Sequence, residues 1–169
     1  IFVKNNLPCF APPLPKKELR AFREHAPRHE LAAVFAPANY LINLAATNPQ
    51  FYANSLRALA EELTRTDQLG LPFLVLHPGA HLGAGEEAGL EKIVQSIDRV
   101  FAKIPKGKTK IALETTAGQG SCPGTTFRHL HSPHPTGRAR KRLWRCRHTQ
   151  TVSAAATRPH TQPRSQTTR

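Results

Sequence analysis

Two side chains able to bind a divalent metal, His77 and Glu114, stand directly after short apolar runs at 71–76 and 111–113. Each is followed by residues that turn the chain, Pro78-Gly79 after the imidazole and Thr115-Thr116-Ala117-Gly118-Gln119-Gly120 after the carboxylate. Imidazole and carboxylate are good ligands for a divalent metal, and a bound metal can activate water. Such chemistry requires the fold to bring the two groups to one place.

Between the two runs, Leu90, Ile93, Val94, Ile97, Val100, Phe101 and Ile104 recur at intervals of three and four, one buried face of a helix. A strand, helix, strand unit with a right-handed crossover has parallel strands, so His77 and Glu114 are expected on the same rim of the sheet. Towards the amino end the alternation continues. Residues 1–4 read as the end of a strand, Pro15 opens a helix with Leu19, Phe22 and Ala26 on one side, and 31–36 reads as a second strand. Asn48-Pro49 starts a longer helix with Leu56, Leu59, Ala60 and Leu63 inward, which stops near Gly70. The third strand is 71–76 and the fourth 110–114. Alternation of this kind predicts a parallel α/β architecture.

Averages over the 169 residues conceal two different polymers. Residues 1–121 hold 14 Lys and Arg and all 11 Asp and Glu, a net of +3, and mix apolar strands with periodic helices. Residues 122–169 hold 10 Lys and Arg and no acid, a net of +10, without apolar periodicity. Too few apolar side chains are present there to offset the entropy of ordering, so a disordered basic tail is expected. A basic arm for nucleic acid is one reading of it. The preferred reading is a segment outside the proper reading frame. His129, His131, His134, His148 and His160 lack the regular spacing of a metal site.

Cys9, Cys122 and Cys146 match no zinc-finger or redox spacing, and an odd count argues against a disulfide scaffold, so a reducing, intracellular setting is expected. No apolar run reaches the roughly 18 residues of a membrane span, and no signal-peptide pattern appears. The chain opens on Ile1 and contains no Met, so its natural start is expected upstream. A (β/α)8 barrel usually needs about 250 residues, so 1–121 can supply about half of one. Strand spacing of about 30 to 40 residues suits either an open doubly wound sheet or such a barrel, left incomplete, in 1–121, followed by a tail in 122–169.

Four motifs carry a resemblance. Phe-Val-Lys-Asn at 2–5, Tyr-Leu-Ile-Asn-Leu-Ala at 40–45, His-Pro-Gly-Ala-His-Leu-Gly at 77–83 and Glu-Thr-Thr-Ala-Gly-Gln-Gly-Ser at 114–121 resemble the endonuclease IV family of apurinic/apyrimidinic endonucleases, in order and spacing. The resemblance implies a (β/α)8 TIM barrel, here its second to fifth strands. It implies a DNA-repair enzyme with three zinc ions that cuts double-stranded DNA on the 5′ side of an abasic site. It also implies a cytoplasmic protein that is monomeric when complete. His77 then resembles a ligand of one zinc, and Glu114 the catalytic carboxylate that bridges it to a second. Tyr40 resembles the aromatic that enters the duplex, and Lys4 and Asn5 lie at the root of a DNA-contacting loop. Gly118 and Gly120 read as a tight turn, and His81 as structural.

Three departures stand beside this. Pro37 occupies the position of a third ligand, a His three residues before Tyr40, and proline offers no donor. Leu7-Pro8-Cys9 replaces the basic, Gln and aromatic residues of the DNA-contacting loop. After Ser121 the resemblance is expected to stop, so the remaining ligands are absent, and Phe127-Arg128-His129-Leu130 only echoes a helix start. This chain is accordingly expected to have little or no activity. Two alternatives of different class are a sugar isomerase-like barrel with divalent metals and a basic nucleic-acid-binding module that uses the tail.

Overall fold

The computed structural model describes residues 1–4, 10–29, 34–114 and 142–144. Helix α1 (Lys16–His25) follows Pro15, whose backbone is extended at ψ 135°, and a 3-10 turn over Ala26–His29 continues it. No residue of α1 is fully buried; Leu19 and Phe22 are half-buried, so the helix lies on the outside of the molecule. Helix α2 (Pro49–Leu69) begins where the sequence predicts: the Asn48 side chain accepts from the N–H groups of Gln50 and Phe51, two donors that a helix start leaves unpaired. It ends at Gly70, in the left-handed region at φ 76°.

Strands β1 (Ala36–Pro37), β2 (Phe73–Leu76) and β3 (Lys110–Leu113) are mutually parallel and adjacent in that order, and helix α3 (Glu86–Lys103) joins the last two. The predicted crossover unit is thus present. Of its seven apolar positions, Ile93, Ile97, Val100 and Phe101 are fully buried and the rest half-buried or at the helix end. Leu74, Leu76, Ile111 and Leu113 are buried against α2 and α3, in a core with Ala58, Leu59 and Leu63. The alternate residues, Phe73, Val75 and Ala112, are only half-buried. One face of the sheet is therefore covered by helices, and the other is the face a barrel turns inward.

Three elements differ from expectation. Residues 1–4 form no strand, although Val3 reaches the core. The strand predicted over 31–36 is seen only as Ala36–Pro37, residues 30–33 lying outside the described ones. Pro37 is tolerated because β1 is the outermost strand among the described residues, where a missing N–H breaks no described ladder; Ala38 N–H resumes the bonding at 2.7 Å to Val75 O. Finally, within the tail, strand β4 (Leu143–Trp144) pairs parallel with β3. Arg142 fixes it: its guanidinium donates to Thr109 O (3.0 and 2.8 Å) and Ile104 O (2.9 Å) and lies 4.3 Å from the Phe101 ring centre. The rest of the tail lies outside the described residues.

Candidate active site

β2 and β3 run in register, Leu76 opposite Leu113, so the next residues, His77 and Glu114, emerge side by side. The Glu114 N–H donates to Leu76 O at 3.0 Å, which continues the ladder to the carboxylate. His77 Nε2 and Glu114 Oε2 are 3.5 Å apart, with side chains 36% and 53% exposed. By alternation both belong to the face of Val75 and Ala112, the one free of helices. Tyr40 stacks on the imidazole, ring centres 5.5 Å apart at 25°, and is 72% exposed. The fold therefore gathers three of the predicted residues on one rim.

A buried polar chain holds the Tyr40 loop. Asn39 N–H donates to Glu62 Oε2 at 3.0 Å, and its own Oδ1 accepts from Leu41 N–H at 2.8 Å, a tight turn that lifts Tyr40 out. Glu62 pairs with Lys4 at 2.9 Å, both side chains almost fully buried (1% and 3% exposed). Burial raises the Glu62 carboxyl above its usual range, against the Lys4 ammonium and the Asn39 N–H, which favour the charged form. Lys4, read from the sequence as a DNA contact, is thus turned into the protein. Asn5, Gly118, Gly120 and Leu7-Pro8-Cys9 lie outside the described residues.

The next loop is fastened to the first. Asn43 Nδ2 donates to Ala80 O, and Asn43 Oδ1 accepts from Ala80 N–H and Ala45 N–H, each at 3.0 Å. This requires glycine at 79: φ is +107°, and a Cβ there would sit 2.3 Å from Asn43 Oδ1. His81 has a structural part, accepting from Gly85 N–H at 3.3 Å through Nδ1. Sequence reasoning missed Asn39, Asn43 and Glu62. Only Glu62 left a readable sign, an acid on the inward face between Leu59 and Leu63.

Two donors 3.5 Å apart fit one edge of a zinc tetrahedron, about 3.4 Å for bonds of 2.0–2.1 Å. A third donor is wanting. Pro37, at the end of β1 and in register with Val75, stands on the same rim with a hydrocarbon ring, and no group of three His, Cys, Asp or Glu suited to a metal occurs among the described residues. His77 and Glu114 are thus two donors where a catalytic zinc usually takes three from the protein.

A family profile described as Xylose isomerase-like TIM barrel matches residues 1–132. The chain belongs to that family. The match runs past Ser121 and takes in Phe127-Arg128-His129-Leu130. Among curated relatives of this barrel, a protein named probable endonuclease 4 from Chloroflexus aurantiacus is 46% identical over 130 residues, covering 77% of this chain and 46% of the relative. A protein of the same name from Halorhodospira halophila is 41% identical over 131 residues, covering 77% and 44%. The chain thus spans less than half the length of these relatives. The crystal structure of endonuclease IV from Thermus thermophilus superposes with a TM-score of 0.67 at 25% identity, over 76% of this chain and 45% of that one. A D-tagatose 3-epimerase-like protein shares the barrel fold, with a TM-score of 0.60 at 17% identity over 76% and 49%.

Proposed function

We propose that this chain is part of a DNA-repair endonuclease that hydrolyses the phosphodiester on the 5′ side of an abasic site in double-stranded DNA with the help of three zinc ions. The observation that carries the reading is the His77–Glu114 pair on the barrel rim beside an exposed Tyr40, in a chain 46% identical to a probable endonuclease 4. When bound, zinc supplies an activated water at neutral pH and neutralises charge on the attacked phosphate and leaving oxygen. In this reading His77 and Glu114, side by side on the rim, would be the residues of this chain that help to hold the metal.

Tyr40, propped by the Asn39 turn and stacked on His77, presents a flat amphipathic ring to solvent at the edge of the metal cluster. It stacks in the gap left by a lost base and holds the lesion open against the cost of unstacking. Lys4 contributes indirectly, since its pair with Glu62 anchors the Asn39 turn. The protein is proposed to be intracellular and, in its whole form, monomeric; no described helix is long and apolar enough to cross a membrane.

With Pro37 in place of a donor, we infer that the chain by itself cuts little or not at all. A chimaera tests both parts: residues 1–132 replace the matching segment of the Chloroflexus relative, with and without Pro37→His. Nicking of a synthetic abasic duplex by the Pro37→His chimaera, and at least about a hundredfold less by the Pro37 form, is expected for loss of one ligand of a metal centre. Interconversion of an aldose and a ketose without nicking would support the isomerase reading instead.

A further inference from the structure

The sheet has a second end, where β2 and β3 begin. Phe73 and Lys110 are register partners there, and a cleft of about 530 Å3 opens beside them, lined by Arg23, Asp67, Lys106, Lys108 and Lys110. Four residues of strand separate it from the rim, about 13 Å at 3.3 Å per residue, so it is no part of the His77–Glu114 site.

Its four cations come from different places in the chain: Arg23 from the last turn of α1, Lys106 and Lys108 from the loop after α3, Lys110 from the start of β3. All four are exposed, and among the described residues none of them makes an ion pair. The one acid of the cleft is already engaged: Asp67 Oδ1 accepts from the N–H groups of Lys108 and Thr109 and from the Thr109 hydroxyl. Asp67 therefore shapes the loop that carries the lysines. Like charges gathered in one concavity repel one another and hold a positive potential that multivalent anions relieve. Lysine ammonium groups act there as mobile point charges towards phosphate oxygens.

We propose that this cleft binds closely spaced phosphates, as carried by a free oligophosphate or by a nucleic-acid backbone, at the end of the sheet opposite the rim. The proposal needs neither a metal nor Tyr40 and stands apart from the reading of the rim.

Calorimetric titration of the full 169-residue chain with inorganic tripolyphosphate, and separately with an undamaged 12-nucleotide single strand, tests it. Lys106→Gln/Lys108→Gln/Lys110→Gln is expected to weaken tripolyphosphate binding about tenfold or more, while His77→Ala leaves it unchanged. Parallel weakening towards the single strand assigns the site to a nucleic-acid backbone, and an effect on tripolyphosphate alone assigns it to free oligophosphates. Equal affinity of the triple variant and the parent, which would place the binding in the tail, overturns the proposal, as does absence of millimolar binding by the parent. If the triple variant melts early, Arg23→Gln, in an exposed helical turn, replaces it, and an unchanged affinity there is equally fatal.

Discussion

Removing the carboxylate from the Lys4–Glu62 pair is the perturbation whose size the structure constrains best. The two groups are 2.9 Å apart and almost wholly out of water, and Asn39 N–H reaches the second Glu62 oxygen. Glu62→Gln keeps the shape and an acceptor for Asn39 but strips the counter-charge from a buried ammonium. Breaking a buried pair from one side costs about 3–5 kcal/mol, a large part of the roughly 5–15 kcal/mol that holds a domain together. Lys4→Met leaves the carboxyl instead. Because burial already raises its proton affinity above that of the unfolded chain, ionising it opposes folding, so this variant should recover stability as pH falls towards 4.5 and below. Lys4→Met/Glu62→Gln removes both charges and should lie within about 1 kcal/mol of the parent. Urea unfolding followed by circular dichroism at 222 nm measures all four proteins. If Glu62→Gln costs under about 1 kcal/mol, or the double variant loses the sum of the singles, the inward placement of Lys4 is wrong and its sequence reading as a DNA-binding residue returns.

Three further outcomes are expected. Gly79→Ala should destabilise by about 2 kcal/mol or more, since a Cβ would meet Asn43 Oδ1 at 2.3 Å in a backbone conformation that side chains avoid; urea midpoints check it. Asn48→Ala should cost about 1 kcal/mol by leaving two N–H groups of α2 uncapped, readable in the same titration. For Asp67, burial, which raises its pKa, is outweighed by N–H bonds from Lys108 and Thr109, which hold the carboxyl below its usual value of 3.8. Its contribution is thus present above pH 3.8 and lost as pH falls through the lowered value, so Asp67→Asn should flatten the acid limb of the stability profile, and an unchanged limb would contradict this.

The parts of the fold legible in the sequence were those with a local period. α3 could be read because Ile93, Ile97, Val100 and Phe101 repeat on one face, and α2 because Asn48 and Gly70 mark its ends. The rim followed, since a parallel crossover places the residues after β2 and β3 together whatever their identity. Long-range pairings left no such trace. Lys4 and Glu62 are far apart in sequence, and nothing near Lys4 distinguishes an ammonium bound for the interior from one bound for a phosphate. Arg65 is likewise a charge on a helix until its bonds to Ala11 O and Glu61 are seen. β4 escaped because two residues carry no period, and its pairing with β3 uses backbone groups that any sequence offers.

The Asn43 side chain has a mechanical consequence. With both ends of its amide committed to Ala80, it works as a strut between two successive rim loops, one bearing Tyr40 and the other beginning at His77. Loops joined at mid-span cannot drift independently, so thermal motion of the ring and of the imidazole should be correlated, and the stack between them preserved while the rim as a whole breathes. A single amide thereby lends strand-like stiffness to a region built from turns.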